Sequence, residues 1–314
     1  NDSSASITTT EATNLVINVL ANDTDIDLSR EGDNLTVIST ANVDHGSVSI
    51  AGDGKSVTYH PEVNWVGTEV FDYTITDTHS ATSTAQVTVI VTAVNDAPII
   101  SDVTDQTIAE DSTTGAISFT VNDIDTDLAS LELTATTGNG VVIPTSNITF
   151  GGSGNDRTVT ITPLANKNTW NKLSSEHDPV LITVTVDDGE YPVSDSFYVT
   201  VTPVNDAPDA VDDSIDVNED QSVTISALSN DSDVDIANEG DSILIVSYAE
   251  VDDGSVEIAA DGLSLTYTPN HDFYGTEEFT YTIQDSNSAT DTATITVTVN
   301  AVNDAPTIVP TEDQ

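Results

Sequence analysis

The sequence contains no cysteine, so it forms no disulfide and carries out no thiolate chemistry. For the same reason, it does not indicate whether the protein works in an oxidising or a reducing compartment. It has no run of about twenty apolar residues, which predicts that no helix inserts into a membrane. Basic residues are scarce: 5 lysines and arginines stand against 54 aspartates and glutamates among 314 residues, a formal net charge of −49 at pH 7. Such a chain repels nucleic acid and anionic lipid, so we expect neither as a partner.

The excess of carboxylates must be balanced in the folded state. Like charges repel each other when a chain compacts, and a secreted chain without disulfides needs another kind of link. We therefore expect hard divalent cations to accompany the folded form. An alternative stays open, in which the acidity only keeps a surface protein soluble.

The phrase Val-Asn-Asp-Ala-Pro occurs three times, at residues 94–98, 204–208 and 302–306. The last copy lies 208 residues after the first, and the same shift aligns Glu11 with Glu219 and Asp77 with Asp285. This pattern predicts a tandem array. We divide the chain into repeats at residues 1–98, 99–208 and 209–306, with residues 307–314 as the start of a next repeat, and expect it to be a piece of a longer protein.

Strict alternation of apolar and polar residues predicts strands with one buried face, for example at residues 57–59, 71–75 and 85–91. About seven strands per repeat predict an all-β chain of three tandem immunoglobulin-like β-sandwich domains. The middle repeat is divergent, with extra residues between Gly138 and Asp178. Within this insertion, residues 151–154 predict a hairpin turn and residues 168–175 predict a short helical turn.

The acidic residues fall at the two ends of each predicted sandwich. We take the strands to run alternately down and up. The lower end of each sandwich then carries a glutamate after the first strand and acids in a later loop, beside the Asn-Asp exit. An Asp-x-Asp loop and a late aspartate lie at the upper end. Each joint therefore gathers acids from both neighbours, and this favours Ca²⁺, which takes about six to eight oxygen ligands.

Calcium ligands are predicted at both complete joints and at the outer ends. For the joint between the first and second repeats they are Glu11, Glu69, Asn95, Asp96, Asp123, Asp125 and Asp187. For the joint between the second and third repeats they are Glu110, Asp178, Asn205, Asp206, Asp231, Asp233 and Asp285, with Glu176 in reserve. Weaker binding is expected at the outer ends, through Asp23, Asp25 and Asp77 above and Glu219, Glu277 and Asp304 below.

These motifs resemble the calcium-binding set of cadherin repeats. The first and third repeats look still more like the tandem repeats of very large bacterial surface adhesins of the RTX type. In those repeats Asn-Asp-x-Asp-x-Asp, Gly-Thr-Glu-x-Phe-x-Tyr-Thr-Ile and Asn-Asp-Ala-Pro recur in this order. The resemblance implies cadherin-like domains held by interdomain calcium as an extended, monomeric rod at a bacterial cell surface. Because Ala93, Pro203 and Ala301 stand where cadherin linkers carry another acid, we expect one or two ions per joint.

A second hypothesis makes one repeat a module that binds a carbohydrate or a protein. The middle repeat is the candidate, because it alone has an insertion and it has most of the few basic residues, Arg157, Lys167 and Lys172. An enzyme is not expected. Serines and threonines are abundant, but no nucleophile elbow, histidine metal-ligand spacing or substrate cleft is indicated.

Overall fold

Alternation of apolar with polar residues shapes nearly half of the described residues into strands. The computed structural model describes residues 7–26, 33–171, 173–238 and 240–306. In the strand Gly275–Gln284, for example, Phe279, Tyr281 and Ile283 are buried while the residues between them are more exposed. The prediction of an all-β chain of β-sandwich domains is confirmed. Lys172 and the predicted next repeat at residues 307–314 lie outside the described residues.

The first domain forms two sheets in the part of the chain that the structure describes. Its strands are β1 (Ile7–Thr10), β2 (Leu15–Ile17), β3 (Thr36–Ala41), β4 (Gly46–Ile50), β5 (Val57–Pro61), β6 (Gly67–Thr76) and β7 (Thr82–Thr92). One sheet has the order β1-β7-β6-β3 and the other β2-β5-β4. A 3-10 helix, Val19–Ala21, follows β2.

The second domain has two four-stranded sheets and a small hairpin. Its strands are β8 (Ile99–Ile100), β9 (Gln106–Ala109), β10 (Ile117–Asn122), β11 (Glu132–Thr137), β12 (Ile148–Ser153), β13 (Asp156–Ile161), β14 (Trp170–Asn171), β15 (Glu176–His177), β16 (Val180–Asp187) and β17 (Val193–Thr202). The sheet orders are β12-β13-β10-β8 and β11-β16-β17-β9, and β14 pairs with β15. A 3-10 helix, Thr145–Asn147, precedes β12.

The third domain repeats the arrangement of the first. Its strands are β18 (Asp213–Asn218), β19 (Val223–Ile225), β20 (Leu244–Tyr248), β21 (Gly254–Ile258), β22 (Leu265–Pro269), β23 (Gly275–Gln284) and β24 (Thr290–Asn300). The sheet orders are β18-β24-β23-β20 and β19-β22-β21. A 3-10 helix, Ala227–Ser229, and one helical turn, α1 (Asp235–Asn238), follow β19. The helices in the described residues are too short and too polar to cross a bilayer.

The insertion of the second domain corrects one prediction. The predicted hairpin turn at residues 151–154 is confirmed, since β12 and β13 pair around a tip at residues 154–155. At residues 168–175, where a helical turn was predicted, β14 and β15 form a second hairpin. The loop of this hairpin keeps one helix-type bond, because the Ser175 N–H donates to the Asn171 carbonyl four residues earlier at 2.8 Å. The Asn171 side chain also accepts the Leu173 N–H at 3.0 Å, and a side chain that binds nearby backbone in this way competes with a longer helix.

Each domain buries its own apolar side chains. Tyr59, Phe71 and Tyr73 lie at the centre of the first core, and the third core is built on Tyr267, Phe279 and Tyr281, 208 residues later. The second core includes Phe197 and a set of valines and isoleucines. The three buried clusters share no residue, so each domain has a core of its own.

A strand near the start of each domain runs parallel to the last strand. The pairs are β1 with β7, β9 with β17, and β18 with β24. Both strands of a pair end at the same edge of their domain, so the residue after the first strand lies beside the exit of the chain. This topology brings Glu11, Glu110 and Glu219 to the linkers.

Candidate cation sites at the domain joints

A buried glutamate holds each linker. The N–H of the valine in the Val-Asn-Asp-Ala-Pro motif donates to Oε1 of this glutamate: Val94 to Glu11 at 2.9 Å, Val204 to Glu110 at 2.8 Å and Val302 to Glu219 at 2.5 Å. All three side chains are almost fully buried. Burial raises the pKa of Glu110, although hydrogen bonds from Val204 and Asn168 partly offset this. A nearby cation would offset the cost of burying the charge.

The first joint, between the first and second domains, is closed by two hydrogen bonds from the linker. Asn95 Nδ2 donates to Asp188 Oδ2 at 2.7 Å, and the Asp96 N–H donates to Asp125 Oδ2 at 2.9 Å. The linker therefore contacts Asp188, the residue after the predicted ligand Asp187. Asp187 accepts the N–H of Gly189 on Oδ1 at 2.8 Å. The two adjacent aspartates left the alignment ambiguous by one residue.

The second joint, between the second and third domains, follows the same plan. Asn205 Nδ2 donates to Asp285 Oδ2 at 2.7 Å, and the Asp206 N–H donates to Asp235 Oδ2 at 2.8 Å. Asn287 Nδ2 also donates to Asn205 Oδ1. Each linker thus pairs one asparagine side chain and one backbone N–H with aspartates of the following domain.

Asp123 and Asp233 hold equivalent positions in the two aspartate loops. Oδ1 of Asp123 accepts the N–H of Asp125 at 2.9 Å, and Oδ1 of Asp233 accepts that of Asp235 at 2.8 Å. Oδ2 of each is buried and accepts no hydrogen bond from the described residues. The contacts therefore make Asp235 the counterpart of Asp125. The predicted set for the second joint, Asp231 and Asp233, thus includes the counterpart of Asp123 but not Asp235, which accepts the linker N–H.

In the first and third domains, the first aspartate of this loop forms hydrogen bonds within its own domain. The Tyr281 hydroxyl lies 3.0 Å from both carboxylate oxygens of Asp231, and the Tyr73 hydroxyl lies 3.2 Å from both oxygens of Asp23. Burial raises the pKa of Asp231, against the effect of the Val211 N–H bound to it. In the described contacts, Asp231 stabilises the third domain internally and does not meet the linker of the second joint.

Two other predicted ligands, Glu69 and Glu277, fasten a loop of their own domain. Glu69 accepts the N–H groups of Asp44 at 3.1 Å and His45 at 2.8 Å. Glu277 accepts those of Asp252 at 3.0 Å and Asp253 at 3.2 Å. In the second domain, Asp178 is exposed and accepts Asn171 Nδ2 at 2.7 Å, and Glu176 is exposed in β15. The described contacts do not bring these four acids to the linkers.

Asp241 is a buried acid at the second joint that the sequence analysis did not select. Its Oδ1 accepts the N–H groups of Ser242 at 2.6 Å and Ser286 at 2.9 Å, while its buried Oδ2 accepts no hydrogen bond from the described residues. Asp233, Asp241 and Asp285 each offer an oxygen, and these oxygens lie within 4.8 Å of one another. The shift of 208 residues pairs Asp241 with Asp33, each after a glycine, and this recurrence was the available signal.

The outer ends hold smaller groups of acids. At the upper end of the first domain, Asp25 and Asp77 line one cavity of about 130 Å³. Asp33, Asp77 and His79 offer ligand atoms within 4.8 Å of one another.

At the lower end of the third domain, Asp220, His271 and Asp272 form a similar but exposed group. The pKa of His271 is raised there, mainly by Asp272 and to a smaller extent by Asp220 and Asp304.

The electrostatics of the second joint favour a cation. Burial raises the pKa of Asp206, and the charge of Asp235 raises it further. Burial also raises the pKa of Asp233. Burial opposes ionisation of Asp241 as well, but hydrogen bonds from Ser286 bring its pKa below the usual value. Carboxylate and amide oxygens are the donors that Ca²⁺ prefers, so the residues present fit a calcium ion.

Comparison with known families identifies the domain type. The sequence model of the Bacterial Ig domain family matches residues 1–90 and 205–298, more than half of the chain. The chain therefore belongs to the Bacterial Ig domain family. This membership indicates an extracellular or surface protein, and Ig-like folds are typically non-enzymatic. No curated protein matches the sequence.

Solved structures with a similar chain course include cadherin ectodomains. The human desmocollin-1 ectodomain is 15% identical over 87% of this chain and 55% of its own, with a TM-score of 0.47. Protocadherin gamma B2 extracellular cadherin domains 1–5 are 17% identical over 86% and 53%, with a TM-score of 0.45. Mouse cadherin-23 EC22–24 is 18% identical over 85% and 86%, with a TM-score of 0.44. This chain spans about half the length of the first two.

Proposed function

We propose that this chain is a spacer segment of a large bacterial surface adhesin of the RTX type, whose neighbouring domains are fixed in position by Ca²⁺ at the joints. Two features support the proposal. The same set of linker contacts occurs at both complete joints, and the acids at these joints come from two domains each. A cation held by both domains would limit the angle between them.

The proposal is carried by buried carboxylate oxygens that accept no hydrogen bond. Among those in the described residues are Oδ2 of Asp123 at the first joint and Oδ2 of Asp206, Asp233 and Asp241 at the second. Leaving one buried acceptor unpaired costs about 1–3 kcal/mol, and more when the group is charged. Neighbouring carboxylates add repulsion to this cost. One divalent cation would supply a partner to several of these oxygens at once.

The residues that would hold the ion are the acids nearest each linker. At the first joint they are Glu11, Asp96, Asp123, Asp125 and Asp188; at the second they are Glu110, Asp206, Asp233, Asp235 and Asp285. Bound calcium would supply positive charge where carboxylates from two domains meet. The protein contributes the oxygens, and the linker hydrogen bonds hold the two domains close enough to share them.

The insertion of the second domain favours a spacer over a ligand-binding module. Trp170, in the β14–β15 hairpin, lines a cavity of about 340 Å³ together with Pro203, Gly240, Asp241, Ser286 and Asn287. Its ring also packs edge-on against His177, with ring centroids 5.3 Å apart. The hairpin therefore faces the third domain, where it would restrict interdomain motion. Binding of a glycan array by the whole chain would instead support the module hypothesis.

Small-angle scattering and thermal unfolding of the 314-residue chain test the proposal together. Removing calcium with a chelator should shorten the maximum dimension, because flexible joints reduce the mean end-to-end distance. It should also lower the melting temperature, since an ion that binds only the ordered state adds about 2.7 kcal/mol at a hundredfold excess over its dissociation constant. If the chelator changes neither quantity, the acidity serves solubility alone and the proposal is wrong.

Two double variants distinguish an effect of the acids at the joints from an effect of the net charge of the chain. Asp123→Asn with Asp233→Asn should remove most of the calcium response. Asp53→Asn with Asp261→Asn changes the net charge equally but alters exposed hairpin turns within the first and third domains. This control should keep the full response.

A further inference from the structure

The two complete joints share a plan but differ in how deeply their acids are buried. At the first joint Asp96 and Asp125 are exposed. At the second joint the corresponding Asp206 is half-buried and Asp235 is only 4% exposed. In the part of the chain that the structure describes, the unpaired buried oxygens follow the same trend, with Asp123 alone at the first joint and three aspartates at the second.

Asp241 contributes one of the unpaired oxygens at the second joint. Its side chain is buried, at 9% relative exposure, and Oδ2 accepts no hydrogen bond from the described residues. Ser242 and Ser286 hold the other oxygen and so fix the orientation of the carboxylate. One oxygen each of Asp233, Asp241 and Asp285 lies within 4.8 Å of the others. The cluster thus contains a buried, oriented oxygen that lacks a partner.

The second domain has a basic side chain near the corresponding loop. After Asp125 the loop turns back at once, because the Ser130 N–H donates to the Asp127 carbonyl at 2.7 Å and Asp127 is exposed. The carbonyl of Leu128 accepts Arg157 Nη2 at 2.5 Å, which brings a permanent positive charge to this loop. Among the described residues, no group of three acids or histidines within 4.8 Å includes a residue of the first joint.

We propose that the second joint contains a high-affinity site for a divalent cation, completed by Asp241, and that the first joint binds the same cation more weakly. The inference rests on the proposed function and adds an order in which the joints fill. Affinity in oxygen-ligand sites increases with the number of charged ligands and with the rigidity of the site. The second joint has the extra carboxylate, and Arg157 opposes cation binding near the first.

Unequal joints would give the chain two mechanical states. When calcium is limiting, the second and third domains are fixed to each other while the first domain still swings about residues 95–98. When calcium is abundant, both joints are fixed. A spacer of this kind shortens in steps as calcium falls, instead of collapsing at all joints together.

A calorimetric titration of the 314-residue chain with Ca²⁺ alone tests the inference. We expect two classes of site whose dissociation constants differ by roughly tenfold or more. Asp241→Asn keeps one acceptor oxygen for the serines but removes the charge, and it should abolish the tighter class. The control Asp127→Asn, in the exposed part of the second domain's loop, should leave both classes in place. Loss of the weaker class in Asp241→Asn, with the tighter one retained, would overturn the assignment.

A second measurement does not depend on how Asp241→Asn folds. Because the chain has no cysteine, fluorescent labels can be placed across one joint at a time. Thr68→Cys with Ser118→Cys spans the first joint, and Ser118→Cys with Thr280→Cys spans the second. Energy transfer across the second joint should respond at a lower calcium concentration. Equal midpoints would overturn this inference alone, whereas the absence of calcium binding at both joints would overturn the proposed function as well.

Discussion

At the residue scale, Glu110, the buried glutamate beside the second linker, has two opposing effects. Glu110 accepts the Val204 N–H and so fixes where the chain leaves the second domain. Burial raises the pKa of the same carboxyl group, which means that its charge is unfavourable in the folded chain. The residue therefore helps the fold as a hydrogen-bond acceptor and destabilises it as an anion until a cation is present.

The variant Glu110→Gln separates these two effects. The amide oxygen still accepts the Val204 N–H, but the charge is gone. Without calcium the melting temperature should stay the same or rise, because no buried charge remains. With calcium the gain in melting temperature should be smaller than in the parent chain.

Thermal unfolding with and without chelator measures both quantities for Glu110→Gln. Glu278→Gln, an exposed position in β23, is the control and should match the parent chain. A full calcium gain in Glu110→Gln would exclude this carboxylate from the site.

The residues at the joints were only partly predictable from the sequence. Glu11 and Glu110 were predicted to lie beside the linkers because they recur at a fixed distance from the exit motif, and an early parallel strand brings them there. Asp188 and Asp235 accept the linker hydrogen bonds one and two residues after the predicted Asp187 and Asp233, since runs of aspartate give no local indication of which carboxylate faces the joint. Asp241 was missed because its orientation depends on Ser286, 45 residues away in sequence.

At the scale of elements, alternation predicted the strands because burial on one face is a local property with a period of two residues. The hairpin at β14–β15 was not predictable in this way, since Asn171 determines it through its own backbone contacts. The β4–β5 hairpin shows another constraint that periodicity does not reveal. Gly46 has φ of +122°, and a Cβ there would lie 2.2 Å from the carbonyl oxygen of His60.

The variant Gly46→Ala should therefore destabilise the first domain. An alanine at this φ is strained, and its methyl group meets backbone that belongs to the paired strand, so we expect a loss of more than about 1 kcal/mol. Gly52→Ala, in the turn between β4 and β5, meets no atom within 4 Å and has no positive φ. Chemical denaturation of both variants measures the difference. Equal midpoints for the two would contradict the steric argument.

At the scale of the whole molecule, several buried acids make the folded chain more stable when they are protonated. Burial raises the pKa of Glu110, Asp206 and Asp233 in the folded chain. The folded state therefore binds protons more tightly than the unfolded state at these sites. Their contribution to stability is present below the ordinary carboxyl pKa of about 4 and is lost as pH rises through the raised values.

Calcium-free protein should accordingly become more stable when the pH is lowered from 7 to 5. Calcium-saturated protein should lose stability over the same interval, because protons compete with the ion for the same oxygens. Melting curves of protein stripped of metal by a chelating resin, recorded at both pH values with and without added calcium, test the two signs. A fall in stability on acidification of the calcium-free chain would contradict the burial argument.

The parallel pairing of an early strand with the last strand determines how each domain bears a pulling force. Tension applied to the two ends of the chain drags the paired strands in opposite directions along their own length. The ladder of hydrogen bonds between them is then sheared as a unit instead of being opened one bond at a time. The ladder joins four residue pairs in β9–β17 and six in β18–β24. The third domain should therefore yield at a higher force than the second when the chain is stretched.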